Sequence, residues 1–147
     1  MRIYLDVCCL NRPFDDQSQE RVRLEAEAVT LIFNGMRQYG WQWLGSSAVM
    51  AEIQKTPDIA RRQAMLLLAK QIDAHVPLND DVARRVQFLQ AAGMGAFDAA
   101  HVACAEAGHA DIFLTTDDRL LRVSKRLVDE MAVRVENPLR WVQEMMT

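Results

Sequence analysis

The chain has 147 residues, 50% of them hydrophobic, enough for one domain with a buried core and too few for two comfortable ones. Its 17 Lys and Arg against 20 Asp and Glu give a net charge of -3, so no global basic field draws it to nucleic acid or to an anionic membrane; any polyanion must be gripped locally. The 3 cysteines (Cys8, Cys9, Cys104) show no zinc-like spacing, and no run reads as a secretory signal or membrane span, so a reduced, cytoplasmic protein away from membranes is expected.

Residues 2–7 (RIYLDV) read as a buried strand, followed by a polar loop, NRPFDDQSQ. Val22, Ala26, Val29, Ile32, Phe33 and Met36 then recur at helical spacing up to Gly40. WQWLGSS is a short strand, after which Ser46 or Ser47 can cap the helix containing Glu52. In TPDIARRQAMLLLAKQID the helix-start signals are a Thr56 cap, Pro57 at the first helical position and Asp58 in the first turn, where the helix dipole favours it. HVPL is a short strand, NDDVARRVQFLQAAGMG a helix ending in glycines, and AFDAAHVACAEAG an alanine-rich helix that must pack closely on a neighbour. ADIFLTTDD is the clearest strand after the first; RLLRVSKRLVDEM is a helix, AVRVENP an edge strand and LRWVQEMM a last helix. Strands alternating with helices predict an α/β domain over residues 1–147, a three-layer α/β/α sandwich around a mainly parallel sheet.

The acids are the informative residues. Asp6 sits in an otherwise apolar strand, where an unpaired carboxylate costs several kcal/mol or must find a cation. In a parallel sheet ligands bind beyond the carboxyl ends of the strands, which is where Asp6 and the pair Asp117 and Asp118 fall. Asp98 opens the alanine-rich helix and Glu52 follows the second strand, so each can reach the same crevice. Carboxylates crowded together do not all stay ionised without a cation between them.

The segments IYLDVCCL, SSAVMAEI and GMGAFDAAHVACAEAGHADIFLTTDDRLL, in that order, resemble the spaced acidic signature of the PIN-domain nucleases, a family that includes toxin ribonucleases of bacterial toxin-antitoxin pairs. The resemblance implies a metal-dependent endoribonuclease in which Asp6, Glu52, Asp98 and Asp117 hold Mg²⁺ or Mn²⁺ and carry catalysis, with Thr115 supporting the pocket. It also implies an RNA substrate, a small antitoxin protein as partner and a homodimer. Hard divalent ions prefer oxygen ligands, which agrees with the donor set. The family's small hydroxyl residue after the first aspartate, and the Asn or Ser beyond it, are replaced here by Val7 and Cys8; Asn11 and Arg12 stand nearby to supply polar support or substrate contact, as does Arg119 beside Asp117.

Structural explanations stand beside these. Asp98 can be a first-turn acid favoured by the dipole, Glu52 a solvated helix residue, and His101, on the face of Asp98, a half-buried satisfied histidine. Trp41, Trp43 and Trp141 read as core or dimer surface, and the basic stretch Arg119, Arg122, Lys125 and Arg126 as a solvated face or a phosphate contact. In Asp117-Asp118, strand alternation turns Thr115 and Asp117 to the pocket and leaves Asp118 to cap the next helix or sit in its first turn. The alternative functions are a catalytically silent PIN-like binding module and a non-nuclease acidic-pocket domain such as a signalling receiver, which would want a lysine that AVRVENP does not offer.

Overall fold

Ile3, Tyr4 and Leu5 of the first strand, β1 (Arg2–Leu5), have no solvent exposure, the mark of a strand covered on both faces. In this computed structural model, which describes Met1–Thr147, β1 is joined by β2 (Gln42–Ser46), β3 (Ala74–Val76), β4 (Ile112–Leu114) and β5 (Arg134–Glu136). The sheet order is β3-β2-β1-β4-β5 and every pairing is parallel. AVRVENP does form an edge strand.

Helices α1 (Val7–Asn11) and α2 (Glu20–Tyr39) link β1 to β2, and α3 (Ser47–Gln54) and α4 (Ile59–Ala69) link β2 to β3. Helices α5 (Asp80–Ala91) and α6 (Ala96–Ala107) lead to β4, α7 (Asp118–Arg126) leads to β5, and α8 (Pro138–Met145) follows. The result is the three-layer α/β/α sandwich that the alternation of elements predicts. None of the helices is long and apolar enough to cross a membrane. The alanine-rich α6 packs on α5 and α3 and against β2 and β3, with Ala99, Ala103 and Ala105 buried. Trp43 and Trp141 are core, and Trp141 meets the half-buried Trp41 edge to face, 5.4 Å between ring centres, where α2 and α8 pack together.

Two local expectations are corrected and a third is resolved. The first strand stops at Leu5, because Asp6 caps a short helix and the presumed polar loop begins as α1 and a 3₁₀ turn at Arg12–Phe14. Helix α4 is capped by Asp58, whose side chain accepts from the Arg61 amide, so Thr56 and Pro57 precede the helix. Helix α7 is capped by Asp117, which accepts from the amides of Arg119 and Leu120, and Asp118 takes the first-turn position, one of the two places expected for it. In each case a side-chain oxygen satisfies a helix-start amide that has no partner within the helix.

The connections position the crevice. From β1 the chain moves to β2 on one side, whereas from β4 it moves to β5 on the other, so the loops diverge above the carboxyl ends of two adjacent strands.

Candidate active site

Asp6 lies at that divergence, 4% exposed. Its backbone amide continues the sheet by donating to the Leu114 carbonyl (2.9 Å), which fixes the residue against the end of β4. Its Oδ1 accepts from the Val7 amide (2.8 Å) and its Oδ2 from the Thr115 hydroxyl (2.7 Å). The Thr115 oxygen in turn accepts from the Asp117 amide (3.1 Å). Thr115 therefore ties the first strand end to the turn that presents Asp117.

Beside Thr115, the hydroxyl expected to support the pocket, this corner is braced by Cys8 rather than by Asn11 or Arg12. The Cys8 sulfur accepts from the Thr116 amide and lies 3.3 Å from the Thr115 hydroxyl. Asn11 and Arg12, expected to support Asp6 or contact substrate, are engaged elsewhere. The Asn11 amide donates to the Val7 carbonyl, and its oxygen accepts from Arg61. Arg12 pairs with Asp15 and Glu25, both at 2.9 Å. Glu25, 1% exposed, also receives Arg21 and Asn137. Arg21 grips Asp118 with two hydrogen bonds of 2.8 Å. The network braces α2 against the 3₁₀ turn, α7 and the start of α8, and leaves Arg12 occupied. Arg119 is exposed two residues past Asp117.

Glu52 reaches the pocket from the second turn of α3, a helix whose start is set by Ser46 accepting from the Val49 amide (3.1 Å). Its Oε1 lies 3.1 Å from His101 Nε2, which is also 3.8 Å from Asp6 Oδ1. Ligand atoms of Asp6, Glu52 and His101 all fall within 4.8 Å of one another, close enough to share one ion. His101 is fully buried rather than half-buried, and it is a member of the cluster. Its Nδ1 meets the Tyr4 hydroxyl at 2.7 Å. The sequence pattern pointed to Ser46 or Ser47 as a cap of α3, which Ser46 is, but not to Tyr4; a hydroxyl-tipped aromatic inside an otherwise aliphatic central strand was the available signal.

Asp98, in the first turn of α6, feels the same charges. Desolvation comes first, then repulsion from Asp6 and Asp117 and from Glu52, and together they raise its pKa from 3.8 to about 6. Asp6 is also raised, by burial first and by Glu52, against the lowering effects of His101 and the Thr115 hydrogen bond. Burial would lower His101, yet the Glu52 hydrogen bond and the charges of Asp6 and Asp98 outweigh it, and its pKa rises. No lysine or arginine makes an ion pair with Asp6, Glu52, Asp98 or Asp117; His101 is the basic group among them. The oxygen-rich donor set and its uncompensated charge fit a hard divalent cation.

Fold and site together define a parallel α/β/α domain with an acidic pocket at the carboxyl ends of its central strands. Among solved structures, it is similar to VapBC2 from Rickettsia felis bound to a DNA fragment from their promoter (TM-score 0.58, 14% identity, 93% of this chain and 98% of that chain). FitAcB from Neisseria gonorrhoeae gives a TM-score of 0.58 at 15% identity over 92% of this chain and 97% of that one. VapBC-1 from nontypeable Haemophilus influenzae gives 0.58 at 15% over 94% and 98%. At these identities the likeness establishes the fold. No family model and no curated protein matches the sequence.

Proposed function

We propose that the protein is a PIN-type, metal-dependent endoribonuclease that hydrolyses phosphodiester bonds in RNA. The observation that supports this reading is the cluster of Asp6, Glu52 and His101 at the strand-end pocket without a lysine or arginine counter-charge, with Asp98 in a position where the charges of Asp6 and Asp117 raise its pKa. Asp6, Glu52, Asp98 and Asp117 would hold Mg²⁺ or Mn²⁺. Such an ion supplies water activation and neutralises charge on the attacked phosphate.

The chain's own groups do the rest. Thr115 keeps the Asp6 carboxylate turned into the pocket and fixes the turn carrying Asp117. The cap made by Asp117 places Arg119 on the first turn of α7, exposed and free to meet a phosphate oxygen. Because the net charge is -3, such local cations must offset general repulsion of RNA. The resemblance to toxin ribonucleases, with the fold likeness to VapBC and FitAcB, supports a small antitoxin partner, and the resemblance alone carries the homodimer.

The test is cleavage of a structured RNA with Mn²⁺, with Mg²⁺ and with chelator, for the wild type, Asp6→Asn and Asp98→Asn. Metal-dependent cleavage that disappears in both variants, with their fold retained, is expected. Cleavage that persists in chelator or in both variants would overturn the reading, and no cleavage of any RNA by a wild type that binds Mn²⁺ would favour a silent binding module.

A further inference from the structure

The deepest group of the pocket is an imidazole that the acid set alone leaves without a role. His101 has no solvent exposure, the Asp6 side chain is 6% exposed and the Glu52 side chain 27%, so the carboxylates stand between the ring and the solvent from which an ion arrives. Three aromatic rings hold the imidazole in place: Tyr4 edge-on at 5.7 Å, with Phe97 and Phe113 each at 6.4 Å between ring centres.

Its hydrogen bonds form a directed chain. A carboxylate only accepts, so Nε2 carries a hydrogen and donates it to Glu52. In the neutral ring Nδ1 then accepts from the Tyr4 hydroxyl; the Tyr4 oxygen, 2.6 Å from Ser46 Oγ, accepts from that hydroxyl, and the Ser46 oxygen accepts from the Val49 amide. In the charged ring Nδ1 donates instead, and the Tyr4 hydrogen turns to Ser46. The bond from Nε2 to Glu52 is the same in both. Ser46 also starts α3, the helix carrying Glu52, so one hydroxyl organises both the backbone and the imidazole that reach this carboxylate.

We propose that His101 is a positioning residue: anchored by Tyr4 and Ser46, it holds the Glu52 carboxylate toward Asp6 and Asp98 and so sets the affinity of the pocket for a divalent ion. The inference rests on the metal-dependent reading of the pocket. Glu52 pairs with no lysine or arginine, so the imidazole is its one side-chain anchor.

The test measures Mn²⁺ binding to the full chain by titration calorimetry and pulsed EPR, without RNA. The wild type should bind Mn²⁺ with no directly bonded nitrogen signal. His101→Ala should weaken binding about 10- to 100-fold, the usual cost of losing a group that orients a metal ligand. His101→Gln, whose amide can still donate to Glu52, should recover part of that loss, and Tyr4→Phe should weaken binding in the same direction by less. In a Glu52→Ala background His101→Ala should have no further effect, a coupling that a purely structural role would not produce. If His101→Ala does not fold, Tyr4→Phe and His101→Gln carry the test. A strong nitrogen coupling would make His101 a ligand and overturn the proposal, as would a full additional loss in the Glu52→Ala background. Wild type that binds Mn²⁺ while all the single variants match it refutes positioning alone; wild type that binds no Mn²⁺ refutes the metal reading beneath it.

Discussion

Asp98→Asn should stabilise the metal-free protein at neutral pH and leave it unchanged in acid. In the folded state Asp98 holds its proton up to about 6, whereas the ordinary value is 3.8. The folded state therefore binds more protons than the unfolded one between these values, and stability falls as pH rises through that window and does not return above it. About two powers of ten in proton affinity correspond to about 3 kcal/mol. The carboxyl is partly exposed, and solvent screening reduces this to about 1–2 kcal/mol. Asparagine is neutral and close in shape to the protonated acid, so the variant escapes the loss. For a chain of this length the gain is about 3–6 °C in melting temperature. Calorimetry in chelator near pH 4 and near pH 7.5 measures it as a difference between variant and wild type, a difference that includes the weaker hold on the His101 proton once the Asp98 charge is gone. Saturating Mn²⁺ should reverse the order, because wild type gains about 2.7 kcal/mol at a free concentration 100 times its Kd and the variant gains less. Equal melting temperatures at both pH values, or a variant less stable at pH 7.5, would refute the claim that Asp98 is crowded by like charge.

Asp117→Asn should lose Mn²⁺ affinity with little change in melting temperature, since Asn caps α7 almost as well as Asp, whereas Asp118→Asn should release Arg21 and leave Mn²⁺ titrations unchanged; the opposite pattern would reverse the two roles. Thr115→Val should cost about 1–3 kcal/mol by stranding the Asp6 carboxylate and the Asp117 amide, and should weaken Mn²⁺ binding as well; a variant normal in calorimetry and titration would remove Thr115 from the pocket. Glu25→Ala should destabilise by about 1–3 kcal/mol, because Arg12 and Asn137 lose their most buried partner although Arg12 keeps Asp15, while Mn²⁺ affinity in the folded protein is unaffected; a melting temperature within error of wild type would refute the brace.

The sheet was legible because a central parallel strand needs an unbroken apolar run, which Ile3 to Leu5 and Ile112 to Leu114 supply, and because connecting helices advertise themselves by period. Strand ends were not. Asp6 and Asp117 each lie at the last extended residue before a helix, where one side chain must turn back to cap amides, and alternation along a strand says nothing about that turn. Hence Asp117, not Asp118, caps α7. His101 was legible as a neighbour of Asp98 on one helix face, but its bonds to Tyr4 and Glu52 span 97 and 49 residues of sequence, and no local pattern encodes them. Arg12 drew attention as a free cation near the first acid; its commitment to Glu25 depends on where α2 packs.

Val7 and Cys8, standing where the resembled nucleases carry polar residues, are the feature of the sequence that argues most for an inert pocket, and the geometry weakens that argument. A hydroxyl directly after the aspartate is not required to hold Asp6, because the Val7 backbone amide bonds Oδ1 and this amide is the same for any residue except proline. The second oxygen is held from across the crevice by Thr115, whose position is fixed by β4 and its neighbour β5 through the bond from the Thr115 amide to the Glu136 carbonyl. Val7 is then free to be apolar, and at 2% exposure it packs in the core. Cys8 is a weak donor and acceptor, yet it only supplements Thr115 and the Thr116 amide. Orientation of the buried acid is thus shared between the Val7 backbone amide and Thr115 across the crevice, and it is Thr115, rather than the Val7 or Cys8 side chain, whose loss should cost the pocket its geometry.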